Sequence, residues 1–165
     1  MFIKGHSDAV YSVAVSSDSK FVISGGNKAV KMWNFAEKRQ EAKLRGHSRK
    51  VISVGISYDN KYAVSGSWDS NVIVWNVKEK NVEVLLKGHD QEVWSVFITN
   101  NNEYVVSGSS DKTIRVWNLK DKKQEKIFRG HSCSLNQIKV THDNGYIVSC
   151  SRAVSYTHLT LPTKA

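Results

Sequence analysis

Residues 65–76 read SGSWDSNVIVWN, which sets a serine (Ser65), an aspartate (Asp69) and a tryptophan (Trp75) at short fixed distances. Eighteen residues before Ser65 stands His47. Serine, histidine and aspartate are the parts of a hydrolytic triad, so the stretch poses a choice between chemistry and architecture. Repetition decides it. Gly-His recurs at Gly5-His6, Gly46-His47, Gly88-His89 and Gly130-His131, in steps of 41, 42 and 42. Trp-Asn recurs at Trp33-Asn34, Trp75-Asn76 and Trp117-Asn118, in steps of 42 and 42. Each of these tryptophans lies 14 residues before the next Gly-His histidine. A hydrolytic triad occurs once, beside an oxyanion hole and a pocket. A constellation present in every unit is scaffold.

Within each unit the pattern is that of β-strands: short β-branched or aromatic runs bounded by turn residues. In the second unit the runs are Val51–Ile56, Tyr62–Ser65, Val72–Trp75 and Val82–Leu86. The turn SYDNKY (57–62) has counterparts in SSDSKF, TNNNEY and THDNGY, all rich in the Asp, Asn and Ser that hairpins favour. A second turn class, KEKN (78–81) and KDKKQ (120–124), is rich in lysine. Four short strands per unit predict one antiparallel sheet per unit, with no helix.

Composition narrows the function classes. The 165 residues, 40% apolar and 10% aromatic, suit one globular domain. Lys and Arg outnumber Asp and Glu by 24 to 15, a net +9 that permits an anionic partner without requiring one. The two cysteines, Cys133 and Cys150, form no CxxC and no His-paired spacing. The sequence therefore predicts no disulfide framework, no metal site and no cofactor, and a reducing cytoplasmic or nuclear setting. No apolar run approaches the roughly 20 residues that span a bilayer, and no signal-peptide core is visible.

Gly-His, then Ser-Gly-Ser-x-Asp, then Val-Trp-Asn resembles the WD40 repeat family, over residues 1 to about 152. The usual closing dipeptide is Trp-Asp; here it is Trp-Asn each time. The resemblance implies an all-β, WD40-type β-propeller that is incomplete: three full four-stranded blades plus part of a fourth. The expected repeats are 5–45, 46–87, 88–129 and, in part, 130–152, with 1–4 ending a preceding blade's outer strand. It also implies a hydrogen-bonded tetrad in which Trp contacts Ser, Ser contacts His and His contacts Asp. The sets would be His47, Ser65, Asp69, Trp75 and His89, Ser107, Asp111, Trp117. A buried indole N–H, hydroxyl and imidazole each need a partner, and an unpaired one costs about 1–3 kcal/mol. The first set, His6, Ser24, Asn27 and Trp33, has an asparagine where the aspartate belongs, which predicts a looser first blade.

Both ends depart from the pattern. Phe2-Ile3-Lys4 aligns with the ends of outer strands, so the reading begins within a repeat. At the other end GYIVSCS (145–151) still fits, with Cys150 at the usual glycine. Ala153 and Leu159 stand where Asp and Trp are due. From Ser155 the residues SYTHLTLPT resemble the in-frame translation of a transposase-type sequencing-library adapter. Residues 153–165 are therefore expected to be a non-native tail. Three and a half blades leave the ring unclosed, and such a chain alone is expected to aggregate through its free edges.

The resemblance implies a non-catalytic protein-interaction scaffold, with partners on the top face and rim and, in the full-length parent, a monomeric propeller. Top-face positions map to Ala9 and Tyr11, Lys50 and Ile52, Glu92 and Trp94, and Ser134 and Asn136. Gly26, Trp68 and Ser110 precede the tetrad Asp positions. Tyr11, Trp68 and Trp94 are typical interface residues, with Lys50, Ile52 and Glu92 around them. An alternative is a nucleic-acid or phosphate-binding module of a ribonucleoprotein or membrane-associated complex. It would use the rim cations Lys38, Arg39, Lys78, Lys80, Lys120, Lys122 and Lys123. Glu37, Glu79 and Asp121 sit among them, which favours a solvated rim.

Overall fold

The computed structural model describes residues 5–153 and 156–161. Residues 2–4, expected to end an outer strand, lie outside them. Among the described residues there are fourteen strands and no helix. They are β1 (Ser12–Val15), β2 (Phe21–Gly25), β3 (Asn27–Asn34), β4 (Arg39–Ile56), β5 (Tyr62–Ser67), β6 (Val72–Asn76) and β7 (Asn81–Leu86). There follow β8 (Val93–Ile98), β9 (Tyr104–Ser109), β10 (Thr113–Asn118), β11 (Lys123–Arg129), β12 (Leu135–Val140), β13 (Tyr146–Ser151) and β14 (Tyr156–Thr160). All pairings are antiparallel between chain neighbours, giving sheets β1–β7, β8–β11 and β12–β14. The seven-stranded sheet is two four-stranded blades joined through β4. Its residues 39–45 pair with β3 as an outer strand, and 51–56 pair with β5 as the next inner strand.

The core lies between successive blades. Ile23, Val30 and Leu44 of the first meet Val51, Val54, Ile73 and Trp75 of the second. Equivalent clusters join the second blade to the third and the third to the β12–β14 sheet. Close blade contact goes with glycine in the middle strands β2, β5 and β9. A Cβ on Gly66 would stand 2.7 Å from Cγ1 of both Val93 and Val96, and one on Gly108 would stand 3.0 Å from Ile138 Cγ2. Cys150 occupies the same register in β13 and is exposed.

The expected tail includes strand β14. Set aside on sequence as a tail, 156–160 pair along β13 from Cys150↔Tyr156 to Tyr146↔Thr160. Leu159 takes the register of the tryptophans, and Leu161 is buried with Ile147 and Leu135. The reason is local: an alternating apolar segment beside a free sheet edge completes its backbone hydrogen bonds there.

Candidate interaction face

The tetrad positions meet in space. In the second blade the Trp75 indole N–H donates to Ser65 Oγ at 2.8 Å, and Ser65 Oγ lies 2.7 Å from His47 Nε2. His47 Nδ1 lies 2.9 Å from Asp69 Oδ2, which also accepts from the Ser48 backbone N–H at 2.8 Å. The third blade repeats this with Trp117, Ser107, His89 and Asp111, at 2.8, 2.8 and 2.7 Å. Because Ser Oγ accepts from the indole, its proton goes to Nε2, which leaves Nδ1–H for the carboxylate. Ser65 and Ser107 are fully buried, so neither can reach a substrate carbonyl.

Burial alone would raise the Asp69 pKa, but the His47 hydrogen bond and charge and the Ser48 and Asn71 N–H groups outweigh it and hold the carboxyl at about 2. Asp111 is held well below the usual range in the same way, with His89 and Thr113 overcoming burial. The first blade differs. His6 Nε2 keeps Ser24 at 2.7 Å, and Trp33 donates to Ser24 at 2.8 Å, but Asn27 turns to Asp8 at 3.3 Å. His6 is half-buried, and burial, with Lys31 and Lys43 nearby, lowers its pKa. In the last sheet His131 Nε2 meets Ser149 Oγ at 2.8 Å.

Three ladders that the sequence reading missed tie blade to blade. On the inner strands Ser12, Ser53 and Ser95 accept from the N–H groups of Val54, Val96 and Ile138, each at 3.1 Å. In the SYDNKY-type turns Asn60, Asn102 and Asn144 take positive φ of 58–60°. Their Oδ1 atoms reach back to the N–H groups of Ser17, Tyr58 and Asn100, at 3.0, 2.8 and 2.8 Å. On the outer rim Lys80 pairs with Glu41 at 2.8 Å and Lys122 with Glu83 at 2.6 Å. Each glutamate is the extra residue of a β-bulge opposite the tetrad tryptophan, which turns it toward the next blade. All these residues recur at the repeat spacing, and that recurrence was the available signal.

The rim pairs partly neutralise the lysine-rich turns on which the phosphate-binding alternative rests.

A second set of bulges builds the upper face. Ile52, Trp94 and Asn136 are the extra residues where inner strands β4, β8 and β12 meet β5, β9 and β13. The turn after each middle strand docks by its backbone: Trp68, Ser110 and Arg152 N–H donate to the carbonyls of Lys50, Glu92 and Ser134. This places side chains of neighbouring blades together. Lys50 Nζ stands 5.4 Å from the Tyr11 ring centre and 4.7 Å from that of Trp68. Trp68 packs edge-on to Trp94 with centroids 5.8 Å apart, and the Arg152 guanidinium lies 5.9 Å from the Trp94 ring. Trp94 Nε1 donates to Ser110 Oγ at 2.7 Å. Trp68 Nε1 is buried with no acceptor among the described residues. Tyr11 is exposed, and Trp68 and Trp94 are half-buried. Ala9 and Asn136 are exposed, Gly26 is buried, and none of them joins this aromatic run. Arg152 was missed on sequence, although it lies one repeat beyond Ser110.

Among the described residues no group of three or more His, Cys, Asp or Glu side chains could hold a metal ion, and no helix is long and apolar enough to cross a membrane.

Repeated four-stranded blades carrying an indole–serine–histidine–carboxylate tetrad define a WD-repeat fold. The family model described as WD domain, G-beta repeat matches residues 1–34, 38–76, 80–118 and 122–152, and the chain belongs to that family. The second and third matches each start with the outer strand of one blade and supply the first three strands of the next, and the fourth covers β11, β12 and β13. No curated protein matches the sequence. Among solved structures it is similar to that titled "Structure of U3-55K", with TM-score 0.81 and 18% identity over 96% of this chain and 54% of that one. It is similar also to the crystal structure of RRP9 WD40 repeats, with TM-score 0.81 and 18% identity over 96% and 53%. At that identity the likeness establishes the fold. The chain spans about half the length of these solved chains.

Proposed function

We propose that this WD-repeat chain is a non-catalytic platform that docks other proteins on the face carrying Tyr11, Lys50, Ile52, Trp68, Glu92 and Trp94. The observation that supports it is the run of aromatic rings and cations crossing from blade to blade outside the three cores. Bulges turn Ile52 and Trp94 out of the sheet pairing, and large flat side chains gain contact area at small entropic cost. The reading includes the repeats at 5–45, 46–87, 88–129 and 130–152, and a monomeric propeller in the cytoplasm or nucleus.

The test is Trp94→Ala in the intact protein, followed by quantitative co-purification of bound proteins and a thermal melt. A docking role weakens the bound set by about thirtyfold or more, the loss of a hot-spot side chain, with the melt little changed. A lowered melt with the bound set retained would show that Trp94 only packs on Trp68 and Ser110.

A further inference from the structure

Resting on that docking face, we infer that its partner is an acidic peptide segment, held by Lys50 and Arg152 across the aromatic run. The upper face places these two cations on ring faces of neighbouring blades: Lys50 over Tyr11 and Trp68, Arg152 over Trp94. Neither is among the cations that pair with a carboxylate of the described residues.

A cation seated on an aromatic face is held in place yet keeps its outward hydrogens for an anion. Lys50 also fills the space between the Tyr11 and Trp68 rings, so a partner's own cation finds that position occupied. Glu92 shares the face and sits on the same strand entrance as Trp94; it repels acidic residues near the middle and directs them to the two ends, where Lys50 and Arg152 stand. A carboxylate at each end and apolar groups over Trp94 between them fit this pattern. The bulk charge agrees, because the chain carries a net +9 and electrostatic attraction speeds encounter with acidic partners.

The test is selection from a displayed library of short random peptides on the intact protein at near-physiological salt, repeated with a Lys50→Gln/Arg152→Gln double variant and with Lys50→Arg. Selected peptides are expected to be enriched in Asp and Glu. Each should bind the double variant about tenfold or more weakly, the loss of two charge contacts, and bind Lys50→Arg nearly normally, with all three proteins melting alike. Peptides without acidic enrichment, or with equal affinity for the double variant, overturn the inference while leaving a docking face in place. Failure to select any peptide counts against the docking face itself. Poly(U) that displaces the selected peptides and binds more tightly would make the partner a nucleic acid and overturn the inference as well.

Discussion

Replacing Asp111 by asparagine would give the third blade the side chain that the first already has at this point. The Asp111 carboxylate accepts from four donors: His89 Nδ1 at 2.7 Å and Asp90 N at 3.2 Å on one oxygen, Thr113 N at 2.9 Å and Thr113 Oγ1 at 2.6 Å on the other. Arg115 Nη2 lies 3.9 Å away. An asparagine has one carbonyl oxygen, so two of the four donors come to face its amide hydrogens. His89 cannot compensate by moving its proton to Nε2, because Ser107 Oγ–H would then lose its acceptor. Hydrogen bonds to a charged group contribute about 1.5–3 kcal/mol each and are not additive, so the expected loss at neutral pH is about 2–4 kcal/mol. The folded carboxyl titrates well below its unfolded value near 3.9. Its stabilising effect is thus fully present above about pH 4 and is lost as pH falls toward the folded pKa. At about pH 3 the unfolded chain has taken up the proton and the native one has not, so the gap between wild type and variant narrows by about 1 kcal/mol. Urea unfolding of the intact protein, followed by tryptophan fluorescence at both pH values, measures this. A neutral-pH loss below about 1 kcal/mol, or a gap that widens on acidification, would refute the reasoning.

Two further outcomes follow from the ladders and the tetrads. His6→Ala should lower stability by about 1 kcal/mol less than His89→Ala, because His6 contacts Ser24 without a carboxylate whereas His89 joins Ser107 to Asp111. Equal losses in denaturant melts would show that the carboxylate adds nothing. Asn102→Gly keeps the positive φ and removes only the bond to the Tyr58 N–H, a loss of about 0.5–1.5 kcal/mol. Asn102→Ala should lose roughly 1 kcal/mol more from left-handed backbone strain. If alanine is no worse than glycine in the same melts, the turn geometry is not what asparagine supplies.

The period, the turn classes and the tetrad residues were legible because each repeats along the chain within a single unit. What stayed hidden depends on how blades face one another. Tyr11, Trp68 and Trp94 could be placed on one face by counting. That Lys50 sits between two of their rings could not, because the bulges at Ile52 and Trp94 set those directions, and a bulge has no residue signature of its own. The closing Trp-Asn shows how such hidden contacts write themselves into a repeat. On sequence it is merely a departure from Trp-Asp. In the structure Asn76 Oδ1 accepts from the Glu79 N–H of the following turn, at 2.9 Å, as an aspartate would. Its amide, which an aspartate lacks, donates to Glu83 Oε2 at 3.3 Å, and Asn118 donates likewise to Glu125 at 3.0 Å. Glu83 is the bulged residue that holds Lys122 of the next blade. An aspartate at position 76 would set a second negative charge against that glutamate. At position 76 asparagine, bulged glutamate and rim lysine therefore act together, a role that an aspartate there could not fill.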